Sequence, residues 1–250
     1  MKYKKLILGL VVFLSVFVIY LGTNDKKMNY IALGDSLAKG QNPYGEINYG
    51  YADYIANYLE RNDLLKFYTK DFAESGDKIS DLLEKIKDNR TVQVGDQIIN
   101  IKSTLRESDL VTISIGANDF IKSFQLESLV QDLSDENLLK KVDEILPQLD
   151  EVLKEVRKYA KNEIIVVGYY NPLPRATKLV EEKIDQLFSY ADQAYQNICK
   201  KYDITYLGIY DTFKNHDDYL PNPMDIHPNI KGYEAISNIV IDHLEKNILN

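Results

Sequence analysis

The sequence predicts an α/β fold, a three-layer α/β/α sandwich with a central five-stranded parallel sheet. Short apolar runs alternate along the chain with segments whose apolar residues recur at helical spacing, which favours a parallel sheet with helices on both faces. Most of these runs are almost continuously apolar, as is typical of strands buried on both faces. The predicted strands are Tyr30–Leu33, Leu65–Phe72, Leu110–Ile115, Ile164–Tyr169 and Ile204–Leu207.

Helical spacing of apolar residues marks the segments between these runs. The stretch from Arg90 to Ser103 is ambiguous, because Thr91–Val94 alternates like a strand whereas Ile98, Ile101 and Leu105 have helical spacing. The predicted helices run from Tyr51 to Leu59, from Ile79 to Ile86, from Val142 to Val156, from about Lys178 to Lys201, and from Tyr233 to Ile248.

The composition is that of one globular domain with an N-terminal appendage. A chain of 250 residues that is 45% hydrophobic can bury one substantial core. We expect this domain at residues 28–250, preceded by a separate segment at residues 1–27. The net charge of −8 argues against a nucleic-acid partner, since phosphates are bound by basic patches. The single cysteine, Cys199, cannot form an internal disulfide and is expected to be a small core residue.

The N-terminal segment is predicted to be a signal sequence or a membrane anchor. An almost unbroken apolar run, Leu6 to Leu21, follows Lys2, Lys4 and Lys5. No Ala-x-Ala cleavage site follows the run, and Leu6 to Thr23 nearly reaches the length of about 20 residues that spans a bilayer, so an uncleaved anchor is favoured. Positive charge before the run would leave the domain outside the cytoplasm, or secreted if the segment is cleaved.

Four short motifs carry the candidate chemistry. Ser36, in Gly34-Asp35-Ser36-Leu37, follows the first predicted strand, where open α/β sheets build their active sites. A serine nucleophile needs a base and donors for the oxyanion. His227 in Asp225-Ile226-His227-Pro228-Asn229 offers the base, whereas Gly76 in Glu74-Ser75-Gly76-Asp77 and Asn118 in Gly116-Ala117-Asn118-Asp119 offer donors.

Taken in their order along the chain, the four motifs resemble those of the SGNH (GDSL-type) esterase and lipase family. The resemblance covers about residues 29 to 245. It implies a flavodoxin-like SGNH hydrolase fold and hydrolysis of carboxylic esters through an acyl-enzyme, with no metal and no organic cofactor. Ser36 would be the nucleophile and His227 its base. The backbone N–H groups of Ser36 and Gly76 and the side chain of Asn118 would form the oxyanion hole.

Local sequence leaves alternatives open at several of these positions. Gly76 could be a plain turn glycine, and Asn118 could cap a helix. Of the other histidines, His243 is expected on the exposed face of the last helix and His216 in a polar loop. No two histidines are spaced to share a metal ion.

The acid of the catalytic triad is where the sequence departs from the family pattern. The family usually carries an aspartate three residues before the histidine, but that position is Met224, and Asp225 lies two residues before His227. Asp225 could orient the ring through an adjusted turn, or a backbone carbonyl could do so and leave a Ser36–His227 dyad. Asp35 is expected to hold the turn that presents Ser36.

The predicted function is that of an extracytoplasmic serine esterase or lipase. Lysophospholipid-like esters and O-acyl carbohydrates are the two leading substrate classes, and the loops from Gly40 to Tyr49 and from Asn171 to Arg175 are expected to form the walls of the site. Two alternatives stay open. The acyl-enzyme could pass its acyl group to a glycan of the cell envelope, or the domain could be a catalytically weakened surface binding protein, which Met224 would favour.

Overall fold

A central sheet of five parallel strands organises the domain. The computed structural model describes residues 27–123, 135–172, 178–214 and 216–249. The strand order is β2-β1-β5-β6-β7, and every neighbouring pair is parallel. The fold class predicted from the sequence is therefore confirmed. The strands are β1 (Met28–Gly34), β2 (Leu65–Thr69), β5 (Leu110–Ser114), β6 (Glu163–Val167) and β7 (Thr205–Leu207).

Helices cover both faces of this sheet. Alternate residues of β1 point to opposite faces, so Tyr30 and Ala32 belong to one core and Ile31 and Leu33 to the other. The first core also takes in helices α1 (Ser36–Lys39), α2 (Tyr51–Arg61), α8 (Tyr210–Phe213) and α9 (Ile230–Asn247). The second takes in α3 (Ile79–Lys87), α4 (Ile101–Glu107), α6 (Asp135–Tyr159) and α7 (Lys178–Lys201). A further helix, α5 (Ala117–Ser123), follows β5 directly, and a short 3₁₀ helix spans Asp217–Tyr219.

The ambiguous segment is a hairpin followed by a helix. Strands β3 (Thr91–Val94) and β4 (Gln97–Asn100) pair antiparallel outside the main sheet. The side chain of Asn100 then caps α4 by accepting a hydrogen bond from the N–H of Ser103. The helical spacing of Ile98 was misleading, because Ile98 is an exposed strand residue and the helix begins only at Ile101.

Three predicted strands end earlier than the sequence indicated, and the smallest difference is at β5, which stops at Ser114 instead of Ile115. Strand β2 stops at Thr69, whose hydroxyl accepts a hydrogen bond from the N–H of Asp71 and starts a turn. Phe72 is buried because this turn directs it into the second core, so its apolar character does not reflect a longer strand. Strand β6 likewise stops at Val167, before the loop that carries Tyr169 and Tyr170.

The N-terminal segment predicted at residues 1–27 lies almost wholly outside the described residues, and its boundary with the domain stays a prediction. Across the described ranges, no helix is both long and apolar enough to cross a bilayer. The chain enters the sheet at Met28, whereas Gly34 stands at the other end of β1. Seven strand residues, about 23 Å of backbone, therefore separate the start of the domain from the edge that carries Ser36.

Candidate active site

A tight contact between β1 and β5 places Ser36, the predicted nucleophile. Gly34 pairs with Ser114 and has a φ of +133°, a backbone conformation that side chains disfavour. A Cβ at Gly34 would lie 1.9 Å from the carbonyl oxygen of Ser114. The backbone N–H of Asp35 then donates to that same oxygen at 3.0 Å. Glycine at position 34 thus allows the chain to turn directly from the buried strand into α1 and to present Ser36.

Asp35 has the orienting role expected of it. Its Oδ1 accepts a hydrogen bond of 3.0 Å from the backbone N–H of Leu37 and so caps α1. The carboxyl group is buried, and its Oδ2 has no hydrogen-bond partner among the described residues. Burial raises the pKa of Asp35 to about 7, with Asp77 and Asp119 adding a smaller upward effect. This side chain holds the turn and stands apart from the contacts of the Ser36 hydroxyl.

Ser36 and His227 come together across the sheet edge, although 191 positions separate them in the sequence. The hydroxyl oxygen of Ser36 lies 2.8 Å from Nε2 of His227, and both residues are buried. An imidazole at this distance can take the serine proton as the hydroxyl attacks a carbonyl. The geometry therefore suits the nucleophile and base roles predicted for these two residues.

Asp225, and not the residue before it, contacts the imidazole. Its Oδ1 lies 2.6 Å from Nδ1 of His227 and also accepts a 2.8 Å hydrogen bond from the backbone N–H of His227. A turn made by Asn222 bends the chain so that two residues suffice for this contact. The side chain of Met224 points to solvent, 90% exposed. The arrangement is that of a triad, with the acid one position later than in the family pattern.

Hydrogen bonds with two distant parts of the chain, and a cap on the helix that follows, hold the loop that carries His227. The hydroxyl of Tyr170 donates to the carbonyl of Ile226 at 2.7 Å, and the side-chain amide of Asn222 donates to the carbonyl of Pro43 at 2.8 Å. Asn229 caps α9 by accepting from the N–H of Gly232 at 3.1 Å. Long-range contacts therefore position the histidine.

The other two predicted oxyanion donors, Gly76 and Asn118, lie in adjacent segments at the same sheet edge. Gly76 is in the loop after β2, with a φ of +89° and open space where a Cβ would stand. Asn118 lies in the first turn of α5 and donates one side-chain N–H to the carbonyl of Asp77 at 2.9 Å. The N–H of Glu74 donates to the carbonyl of Gly34, which ties this loop to the nucleophile turn. Their oxyanion roles stay predictions.

The other two histidines lie away from Ser36. His216 is exposed and its ring stacks on Tyr219. His243 is partly buried, contrary to expectation, because Nε2 lies 3.1 Å from a carboxylate oxygen of Glu163 on β6. Cys199 is buried as predicted, and burial raises the pKa of its thiol to about 12. In the part of the chain that the structure describes, no three His, Cys, Asp or Glu side chains cluster as metal ligands.

A narrow apolar cavity opens beside Ser36 and His227. It has a volume of about 70 Å³ and lies between the sheet edge and helices α5, α6 and α7. Tyr169 and Tyr170, in the loop after β6, form part of its lining. The apolar wall is made by Phe120, Val142, Ile145, Pro172, Leu187, Phe188, Ala191 and Ile226.

These walls differ from those expected from the sequence. Pro172 belongs to the loop expected to form one wall, and residues 173–175 of that loop lie outside the described residues. No residue of the loop from Gly40 to Tyr49 lines the cavity described here. The residues of α6 and α7 were missed because their helical spacing is also that of ordinary core residues. One signal was the length of α7, since its 24 residues span about 36 Å, about twice the length of a five-residue strand.

Known proteins share this sequence pattern and fold. The chain matches the model of the GDSL-like lipase/acylhydrolase family over residues 32–235. It is 27% identical over 220 residues to the uncharacterized protein YpmR of Bacillus subtilis (strain 168), a match that covers 86% of this chain and 80% of that protein.

Two solved structures are similar over nearly the whole domain. The lipase Lip_vut3 from a goat rumen metagenome has a TM-score of 0.66 at 21% identity, with 90% of this chain and 100% of that chain covered. The acetylxylan esterase Axe2 of Geobacillus stearothermophilus has a TM-score of 0.60 at 16% identity, with 89% and 96% covered. At these identities the likeness is one of fold.

Proposed function

Since the chain belongs to the GDSL-like lipase/acylhydrolase family and is a carboxylic ester hydrolase, we propose that it cleaves esters of apolar acyl groups through a Ser36 acyl-enzyme. The observation that carries this proposal is the continuous contact from the Ser36 hydroxyl through His227 to Asp225 beside an apolar cavity. The first part supplies an activated nucleophile, and the second supplies a place for the acyl chain.

The proposed reaction has two steps on Ser36. Nε2 of His227 takes the hydroxyl proton as Oγ attacks the ester carbonyl, and the same proton is then given to the departing alkoxide. Water next attacks the acyl-enzyme, with His227 again acting as base, and the carboxylic acid leaves. The carboxylate of Asp225 holds the imidazole with Nδ1 protonated, so that Nε2 is free to accept. The backbone N–H groups of Ser36 and Gly76 and the Asn118 amide would stabilise the oxyanion.

The cavity favours a hydrocarbon chain over a sugar ring. Apolar side chains from three helices line it, and sugar hydroxyls buried against such walls would lose their hydrogen bonds to water without replacement. A hydrocarbon chain gains about 0.8 kcal/mol for each methylene that it buries. The two structural relatives are named for different substrates, an acetylated xylan and lipids. Of these two classes, we place this chain with the enzymes that act on longer acyl groups.

The test is hydrolysis of nitrophenyl esters from acetate to decanoate by residues 27–250. We expect kcat/KM to rise with chain length up to a medium-length acyl group, and Ser36→Ala to lose about 10⁴-fold or more of the activity while keeping its melting temperature. Undiminished turnover by Ser36→Ala would contradict the mechanism. An optimum at acetate would contradict the acyl assignment.

A variant in the cavity wall separates the acyl site from general effects on catalysis. Ala191 on α7 lines the cavity, and Ala191→Phe should fill part of it. We expect kcat/KM for the longest ester to fall at least about tenfold, with acetate changed less than about twofold. Ala191→Ser is the matched control, because it alters the same position with little change in volume.

We also propose that the domain acts outside the cytoplasm, held by its N-terminal segment. The support is the apolar run Leu6 to Leu21 after three lysines. The chain enters the domain at Met28, at the opposite end of β1 from the turn to Ser36, so the active site would face away from such an anchor. Fractionation of cells that express the full chain tests this. Recovery in the cytoplasmic fraction would contradict it.

A further inference from the structure

The side chain of Gln41 lies against the same imidazole nitrogen that Asp225 contacts. Its amide group is 3.3 Å from Nδ1 of His227, although 186 positions separate the two residues. Gln41 follows α1 and therefore belongs to the nucleophile side of the site. No motif of the family resemblance includes this residue, and nothing in its local sequence marks it.

The ring's protonation state decides which atom of the amide faces it. Nδ1 must carry a proton in order to donate a hydrogen bond to Oδ1 of Asp225, which is 2.6 Å away. An N–H group of Gln41 cannot donate to a nitrogen that already carries a proton. Rotating the amide by 180° about its Cγ–Cδ bond exchanges nitrogen and oxygen without moving the side chain. Oε1 then accepts from Nδ1 alongside Asp225, in a shared hydrogen bond.

Backbone contacts fix the position from which this amide reaches the ring. The N–H of Gln41 donates to the carbonyl of Ser36 at 3.0 Å, and the carbonyl of Gln41 accepts from the hydroxyl of Tyr233 at 2.6 Å. Gln41 also forms an isolated antiparallel bridge with Ile47. All three contacts use the backbone of Gln41, so a substitution of its side chain leaves them available.

We propose that Gln41 is a positioning residue for His227, a role that rests on the proposed function of the Ser36–His227 pair. The Asp225 side chain is 25% exposed, so water competes for its hydrogen bonds. The Gln41 amide approaches from the nucleophile side of the site and limits rotation of the ring away from Ser36. It compensates for an acid that stands one residue closer to the histidine than in the family pattern.

The test uses the position of Gln41 to replace a lost carboxylate. Asp225→Asn keeps an oxygen for the backbone N–H of His227 but removes the charge at Nδ1. If Gln41 faces Nδ1, Gln41→Glu restores a carboxylate there. We expect the double variant Asp225→Asn, Gln41→Glu to be at least about tenfold more active than Asp225→Asn. Gln41→Ala alone should lower kcat about three- to tenfold with KM unchanged, since Gln41 does not line the proposed acyl cavity.

Asn48→Asp is the matched control for added charge. Asn48 lies in the same loop, but its side chain is exposed and accepts a hydrogen bond from the N–H of Tyr49. Combined with Asp225→Asn, it should give no rescue. A double variant with Gln41→Glu that is no more active than Asp225→Asn would overturn the proposal, as would equal rescue by Asn48→Asp. If Ser36→Ala hydrolyses the esters as fast as the wild-type protein, the proposed function itself is wrong. Ser36-dependent hydrolysis without rescue overturns the role of Gln41 alone.

Discussion

The two halves of the candidate site are held in different ways. On the nucleophile side, a buried strand and the backbone of its neighbour place Ser36, with Gly34 pressed against the carbonyl of Ser114. On the histidine side, a loop is held by side-chain hydrogen bonds from Tyr170 and Asn222. The first half is set by close backbone packing and tolerates little change. The second is set by several separate contacts, each of which can be lost alone.

This difference explains why the acid could shift by one residue. A loop held by side chains can adopt another turn, and here Asn222 makes the turn that brings Asp225 to Nδ1 of His227. The nucleophile turn has no such freedom, because a side chain at position 34 would overlap the neighbouring strand. Variation is therefore expected on the histidine side and intolerance on the nucleophile side.

The largest effect should come from Gly34→Ala, which changes the closely packed nucleophile side. The new Cβ would stand 1.9 Å from the Ser114 carbonyl oxygen, so the strands must separate. We expect the free energy of unfolding to fall by about 3 kcal/mol or more, measured by urea denaturation. Gly45→Ala is the control, because Gly45 also has a positive φ, +82°, but nothing within 4 Å of an added Cβ. It should cost about 1–2 kcal/mol. Equal losses of unfolding free energy in the two variants would show that backbone strain alone accounts for the effect. The packing difference between the nucleophile side and the histidine side would then be unsupported.

Asp225→Asn tests the adaptable half and should act on activity more than on stability. Loss of the carboxylate at Nδ1 should lower kcat about 10²–10⁴-fold, because the imidazole is no longer held in the required tautomer. The melting temperature should change little, since the side chain is partly exposed and an asparagine can keep the contact to the backbone of His227. Asp218→Asn, on an exposed loop carboxylate paired with Lys231, is the control. A loss of under about tenfold for Asp225→Asn would favour the dyad.

The smallest effect should be a pH-dependent gain in stability from Asp35→Asn. The pKa of Asp35 is raised to about 7 by burial, against about 3.9 in an unfolded chain. Between these values the folded protein binds the extra proton, so the contribution of Asp35 to stability falls as pH rises from about 4 to 7 and stays low above that. Asparagine keeps an oxygen for the N–H of Leu37 and does not titrate.

Thermal unfolding at two pH values checks this prediction. The melting temperature of Asp35→Asn relative to wild type should be higher at pH 8 than at pH 5, by about 2–4 °C for each kcal/mol. An identical difference at both pH values would show that Asp35 does not titrate in this range. Ionisation of Asp35 would then not lower the stability of the folded protein in this pH range.

What could be predicted from the sequence follows the same division. The strand run before Gly34 and the helical spacing after it are local patterns, so the fold class and the place of Ser36 could be predicted. His227 could be recognised because its motif is local as well. Gln41 could not be found this way, because its contact with His227 depends on how two distant loops pack.

The cavity beside Ser36 was missed, and the segment from Arg90 to Ser103 was left ambiguous, for related reasons. Val142 and Leu187 have the spacing of core residues whether they face a cavity or a neighbouring helix. Ile98 has helical spacing by coincidence, because three apolar positions cannot distinguish a short strand from a helical turn. The sequence did not decide whether Asp225 is the acid of a triad or has no part in a dyad. Its contact with His227 depends on the turn at Asn222, and the Asn222 side chain is held by a hydrogen bond to Pro43, far away in the sequence.

The most direct test of the central claim is intact-protein mass spectrometry after reaction with an alkyl fluorophosphonate that carries an apolar chain. The account predicts one adduct per chain, mapped to Ser36, formed at least about 10²-fold more slowly in His227→Ala. It also predicts slower labelling in Ala191→Phe for a long-chain probe than for a short one. An adduct on another residue, or labelling of Ser36 at the same rate without His227, would contradict the claim that this pair forms the nucleophile and its base.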